Sequence, residues 1–157
     1  PQMGKTVREL LVALQRPAII RAESATEQLL AGINRLLPQL SSSAAPLTPE
    51  SLAHLLRRED TYIYIVPDAH GTPQAMATLC LCASPTGTKA WIEDVVTDRT
   101  MRGRGYGRAL IDHLCAEARR MGAKSIHLTS RPEREAANRL YRRLGFDQRD
   151  TTLYRPK

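Results

Sequence analysis

No apolar stretch of this chain comes near the ~20 residues that a membrane-crossing helix needs, so no membrane partner is expected. Aromatic residues are scarce, with one Trp, one Phe and five Tyr among 157 residues, and the core must be built from Leu, Ile, Val and Ala. The same scarcity argues against a nucleic-acid partner, because single-strand sites interleave stacking aromatics with their cations and duplex sites need a long basic stripe. Cysteine is also sparse. Cys80 and Cys82 are two apart in a strand-like run, where they share a face without bridging geometry, and Cys115 stands alone. Neither a disulfide framework nor a metal site is expected; all three thiols read as reduced, partly buried small hydrophobes. No signal peptide is visible, which fits a reducing cytoplasm. The opening Pro1-Gln2 reads as a processed or engineered start.

What the chain does have is an uneven positive charge. Residues 1–98 carry 8 basic and 10 acidic side chains, a net of −2, whereas residues 99–157 carry 15 basic and 6 acidic, a net of +9. The positive half contains Arg102-Gly103-Arg104-Gly105-Tyr106-Gly107, set between a strand-like run, Trp91 to Thr97, and a helix-like run, Arg108 to Met121. Glycines at such a turn let backbone N–H groups converge on an anion at a helix N-terminus, and the arginines add charge around it. A phosphate- or pyrophosphate-bearing ligand is therefore expected. A basic nucleic-acid-binding domain is the other reading of the +9 half, weakened by the missing aromatics.

Periodicity and turn residues organise the rest into one α+β domain. Residues 1–17 read as an N-terminal extension with a helix from Thr6 to Leu14, and 18–157 as the domain proper. Ala18 to Ala22 reads as a short strand. Ser24 or Thr26 can cap a helix to about Leu37, and Pro38 to Pro49 is the loop expected to be most mobile. Thr48 with Ser51 opens another helix that ends near Glu59. Thr61 to Val66, Gln74 to Ala83 and Lys89 to Thr97 form an antiparallel run with turns at Asp68 to Pro73 and Pro85 to Gly87. After the glycine-rich turn comes a helix with the stripe Leu110, Ile111, Leu114, Ala118 and Met121, then a strand from Lys124 to Thr129. Ser130-Arg131-Pro132-Glu133 matches a capping box for a helix through Leu144. Asp147 to Arg155 reads as a final edge strand.

Three stretches of this pattern carry a family likeness. Trp91-Ile92-Glu93-Asp94-Val95-Val96-Thr97-Asp98 leads into Arg102-x-x-Gly105-x-Gly107; Asn138 and Tyr141 sit three apart on a helix that ends in Gly145-Phe146; and the elements follow in the same order. On these the chain resembles the GNAT superfamily of acyl-CoA-dependent N-acetyltransferases, over roughly residues 18–155. The resemblance implies a mixed, mostly antiparallel sheet of six to seven strands flanked by helices. It also implies a V-shaped splay between the strands at 89–97 and 124–129.

The resemblance further implies acetyl-CoA as co-substrate, with no metal, and transfer of its acetyl group to a primary amine by direct attack in a ternary complex. Backbone N–H groups from Gly103 to Arg108, Tyr106 among them, would hold the pyrophosphate, with Arg102, Arg104 and Arg108 adding charge. The edge formed by Val95, Val96 and Thr97 would pair with the pantetheine arm, the N–H of Val95 facing the thioester oxygen. Tyr141 would be the proton donor to the departing thiolate, and Asn138 would bond the cofactor arm or position a water. Tyr141 also shares a helical face with Ala137, Leu140 and Leu144, where a core tyrosine would sit. By two-residue alternation Glu93 shares a strand face with Trp91 and Val95; it is the candidate base, with a pKa raised by desolvation, and a water chain is the alternative. Arg149, Thr151, Thr152, Tyr154 and Arg155 either contact the acceptor or pack as an edge strand, and an exposed final strand would allow a homodimer as well as a monomer. A catalytically idle acyl-CoA-binding regulatory module is the rival reading of the same motifs.

Overall fold

The computed structural model describes Val7 and residues 16–157, so the helix expected from Thr6 to Leu14 lies outside the described residues. Five strands form one sheet in sequence order: β1 (Ile20–Arg21), β2 (Thr61–Pro67), β3 (Pro73–Ser84), β4 (Gly87–Thr97) and β5 (Ser125–Leu128). The first four pair antiparallel and β5 runs parallel to β4. Helices α1 (Glu27–Leu40) and α2 (Pro49–Leu56) lie before β2, α3 (Tyr106–Arg120) joins β4 to β5, and α4 (Glu135–Arg143) follows β5. No helix of the described residues is long and apolar enough to cross a membrane.

Alternation along the strands divides the core in two. Tyr64, Val66, Ala75, Ala77, Leu79, Ala90 and Ile92 pack with Leu110, Ile111, Leu114 and Ala118 of α3 and with Tyr141 of α4. On the other face Ile63, Ile65, Met76 and Val96 pack with Leu29, Ile33 and Leu36 of α1 and Leu52 of α2. Each fully buried aliphatic side chain contributes about 1.5–3 kcal/mol relative to exposure, so these clusters set the sheet's register. Helix α1 lies very close to the sheet at Gly32, where any Cβ would collide with the ring of Pro73.

Several local expectations hold. Thr26 caps α1 by accepting from the Leu29 N–H, and Thr48 with Ser51 forms a reciprocal capping box on α2. The helix expected to stop at Leu37 runs on to Leu40 with Pro38 inside it. Proline there removes only the bond to the Asn34 carbonyl, and the last turn closes through the Ser41 N–H to Leu37 O at 3.0 Å. The loop after α1, expected to be the most mobile segment, is tied down at one point. The Asn34 amide both donates to Leu47 O at 2.9 Å and accepts from Leu47 N–H at 2.8 Å.

Two expectations fail. The sheet has five strands among the described residues, not six to seven, because Asp147 to Arg155 forms no strand. That segment is mostly charged and polar, and its apolar pair, Leu153 and Tyr154, remains 86% and 88% exposed; it has too little apolar surface to gain by joining the sheet. The capping box at Ser130 is also absent. Pro132 occupies a turn closed by the Arg134 N–H to Arg131 O at 3.1 Å, and α4 begins only at Glu135, after Arg134, with no side-chain cap.

Candidate functional site

The site is organised by a fork in the sheet. Strand β4 pairs with β5 from Lys89↔Ser125 to Ile92↔Leu128 and no further, so from Glu93 to Thr97 the backbone groups of β4 on that side have no strand partner. This is the expected splay. At the same point β4 carries a bulge. Thr78 pairs with Glu93 and Met76 with Val96, leaving Asp94 and Val95 together opposite Ala77, with Asp94 at φ 51°. The left-handed conformation is tolerable to Asp, whose short side chain bonds locally.

The bulge corrects one reading. Two-residue alternation puts Glu93 and Val95 on one face, but the extra residue flips everything beyond it. Val95 packs against the cluster of α3 and α4, and Val96 is buried among α1 and α2. Glu93 keeps the face of Trp91, opposite the face of Ala90 and Ile92. Thr97, the last residue of the strand, is half-buried.

Past β4, one turn of 3-10 helix (Arg99–Met101) leads into the glycine-rich loop. Gly103 and Gly105 have φ of +79° and +78°, and a Cβ built on either meets nothing within 4 Å. Both positions need glycine for conformation, and both open onto free space. Gly105 is the N-cap of α3 and offers no side-chain cap, so the first N–H groups of the helix, from Tyr106 on, are left without partners. Arg102, Arg104 and Arg108 are exposed around the loop, with Arg108 Nε 4.0 Å from Asp112. Tyr106 turns its side chain into the α3-side core. Gly107 differs from the other two glycines: its φ is not positive, and a Cβ there would lie 3.5 Å from Leu140 Cδ2. The first turn of α3 therefore rests on α4 beside Asn138 and Tyr141.

Tyr141 is 8% exposed and packs edge-on to Phe146 at 6.2 Å. Burial pushes its phenol above the ordinary tyrosine value, opposed by the positive charge of Arg134. The Asn138 amide donates to Arg131 O at 3.0 Å, tying α4 to the loop before it. On the opposite face Glu93 is exposed at the strand edge, and partial desolvation, followed by the neighbouring Asp94 carboxylate, raises its carboxyl above its usual range. The Trp91 indole stacks on His127 at 4.9 Å, and His127 Nε2 lies 2.9 Å from Ser125 Oγ. Burial, followed by Glu93, holds the Cys80 thiol up as well, in keeping with a protonated thiol.

The fold thus brings the loop, Val95, Asn138 and Tyr141 to one side of the fork and puts Glu93 on the other. Three residues, Asp98, Arg35 and His127, escaped the sequence reading. Asp98 is buried beneath the loop and bonded to α1, with a signal in Asp98-x-Thr100, a local cap pattern; its partner Arg35 had none. His127 showed no pattern by itself. Ser130 matches a capping pattern but caps no helix.

The sequence profile of the acetyltransferase (GNAT) family matches residues 30–146. The uncharacterized N-acetyltransferase YhdJ of Bacillus subtilis is 38% identical over 61 residues, 38% of this chain, which spans less than half (43%) of that protein's length. The glucosamine 6-phosphate N-acetyltransferase of Trypanosoma brucei brucei is 32% identical over 112 residues, 67% of this chain and 74% of that one. A solved structure from Agrobacterium tumefaciens superposes with a TM-score of 0.78 at 27% identity, covering 89% of this chain and 99% of the other. By the profile match over residues 30–146 and the trypanosomal relative's 32% identity, the chain belongs to the GNAT family of acetyltransferases.

Proposed function

We propose that this protein moves an acetyl group from acetyl-CoA to a primary amine by direct attack within a ternary complex. One observation carries the reading: an uncapped helix N-terminus with two open, left-handed glycines lies next to a strand edge that its neighbour has left. The loop fits a pyrophosphate, since the space that Cβ atoms would fill at Gly103 and Gly105 is empty, the N–H groups are unpaired and Arg102, Arg104 and Arg108 surround it. The edge at Val95 to Thr97 fits an amide-bearing arm, which can pair with it as an added strand would. Acetyl-CoA supplies a thioester carbonyl to be attacked and a thiol to depart.

The chain's own residues do the rest. The Val95 N–H, at the bulge, faces the oxygen on which negative charge develops. Tyr141, kept protonated by burial, gives its proton to the departing sulfur as the C–S bond breaks. Glu93, on the other side of the fork, takes a proton from the incoming ammonium directly or through water, leaving the nitrogen lone pair free to form the C–N bond; the second proton that the nitrogen loses as the amide forms passes through water to the Tyr141 phenolate and restores the phenol. Its raised pKa brings it closer to that task. Asn138 flanks the arm. The acceptor then approaches from the face of Glu93, beneath α1 and α2, and the donor from the face of α3 and α4. The related trypanosomal protein takes an amino sugar phosphate by its name; for this chain the class assigned is a primary amine.

A panel of amines scored by release of free CoA thiol tests the reading. Wild-type protein should release thiol with at least one amine, and Tyr141→Phe should not. Binding of acetyl-CoA without thiol release from any amine would instead indicate an idle binding module.

A further inference from the structure

The strand register lines up one residue from each of four strands: Thr61 pairs with Cys80, Cys80 with Trp91, and Trp91 with His127. Paired residues share a face, and this row lies on the face of Glu93. One row along, where Thr78 pairs with both Ile63 and Glu93, the cover of α1 and α2 begins and Ile63 is buried beneath it. Trp91 and Cys80 belong to neither apolar cluster. All four residues of the row are half-buried. The chain's only tryptophan, stacked on His127 with ring centroids 4.9 Å apart, therefore keeps part of its surface open.

Charge orients what can lie there. Trp91 stands between Glu93 and Lys89 on one strand face, about 7 Å along the strand from each. Among the described residues neither Glu93 nor Asp94 forms an ion pair, although the chain carries a net charge of +7. A cation is attracted to the Glu93 end of this line and repelled from the Lys89 end. A molecule with its ammonium at Glu93 then runs its remaining atoms over the indole.

We infer that the acceptor is a primary amine carried on an apolar body, and that Trp91, backed by His127, is the residue on which that body rests; this rests on the acetyltransferase reading above. An indole offers a broad apolar face to such a body, and Glu93 is in place for its nitrogen.

Hexylamine and ethylamine test this, since they share an ammonium and differ in apolar length. Wild-type kcat/KM, read as release of CoA thiol, should favour hexylamine by at least about tenfold, as expected when two or more methylenes leave water. Trp91→Ala should cut that ratio to about twofold or less, whereas Trp91→Phe, which keeps an aromatic face, should retain most of it. The indole also reports directly. As the only tryptophan, it should shift its emission to shorter wavelength when hexylamine, and not ethylamine, joins the CoA complex. A wild type that acetylates some amine but shows no preference for hexylamine overturns this inference alone, as does a preference that survives in Trp91→Ala. A lower melting temperature in Trp91→Ala with equal losses for both amines makes the row structural and overturns it. Emission that shifts on dilution of the protein, and not with hexylamine, makes the row a contact between two copies and overturns it too. A wild type that releases thiol with no amine overturns the acetyltransferase reading and this inference together.

Discussion

Arg35 of α1 and Asp98, the residue that follows β4, form an ion pair at 3.1 Å, and through it the helix on one face of the sheet grips the base of the glycine-rich loop. Arg35 also donates to Pro73 O at 3.1 Å, and one turn later Gln39 accepts from the Arg99 N–H at 2.8 Å. Asp98 Oδ1 in turn accepts from both the N–H and the hydroxyl of Thr100 at 3.0 Å. The Asp98 side chain is 8% exposed, while the arginine side chain is about half exposed, so the ion pair alone is worth little. The bonds to Thr100 matter more.

Removing them separates the two contributions. Asp98→Asn keeps an oxygen for Thr100 and loses the charge; Asp98→Ala loses both and should cost about 1–3 kcal/mol in denaturant unfolding. The Thr100 N–H first, then its hydroxyl and the charges of Arg35 and Arg99, holds the Asp98 carboxyl below the usual carboxylate range. A lowered folded pKa stabilises the protein above the unfolded value of about 3.9, and that contribution fades as pH falls through the folded value. The gap between wild type and Asp98→Asn should therefore be full at neutral pH and close only below about pH 4. A gap that widens on acidification contradicts the assignment.

The loop that Asp98 supports was legible because its signal is local: glycine is what the left-handed positions 103 and 105 require. The capping of α1 and α2 was legible for the same reason. Features set by tertiary contacts were not. The bulge at Asp94 hides in a run that alternates plausibly as Glu93, Asp94, Val95, and only the register against Ala77 shows which residue is extra. Arg35 and Asp98 meet because α1 crosses the sheet, which no spacing in the sequence reports. Ser130 matched a capping pattern, but Pro132, two residues later, favours a turn and takes the chain out of helical geometry. The tail has strand-forming Thr, Leu and Tyr, yet its charges leave it no face to bury.

Tyr141→Phe should separate acid catalysis from packing. The ring contact with Phe146 survives the substitution, so stability and CoA affinity should stay near wild type. Loss of a general acid lowers turnover by about 10²–10⁴-fold. Because burial raises the phenol pKa, wild-type turnover should show no loss from this group on the alkaline side of neutrality. Steady-state kinetics beside calorimetry checks both halves, and near-normal turnover removes Tyr141 from the mechanism.

Glu93 and Asp94 together should shape the acid side of the pH profile. A base must be ionised, so kcat/KM should rise with pH through a pKa above the ordinary glutamate value of about 4.3. Asp94→Asn removes the neighbouring charge and should move that limb to lower pH; asparagine tolerates the left-handed backbone at this position. A raised folded pKa on an acid also means that ionised Glu93 destabilises the fold above that pKa, a cost relieved as pH falls. Glu93→Gln should then lose activity while melting at the same temperature or higher at neutral pH. A pH limb unmoved by Asp94→Asn would assign proton removal to the water chain.

Gly105 and Gly107, two residues apart in one motif, should respond oppositely to alanine. Gly105→Ala forces a side chain into φ +78°, with nothing within 4 Å to clash, so the cost is conformational, about 1–2 kcal/mol. Gly107→Ala meets Leu140 Cδ2 at 3.5 Å, an ordinary contact on a helical backbone, and should leave stability unchanged or raise it by up to about 1 kcal/mol. Binding should follow different rules from stability. At Gly105 the added carbon enters the space proposed for the pyrophosphate, and Gly105→Val should abolish CoA binding measurable by calorimetry. At Gly107 the carbon points to α4, so CoA affinity should survive. If Gly105→Val binds CoA as wild type does, the loop is an ordinary turn into a helix and the anion lies elsewhere.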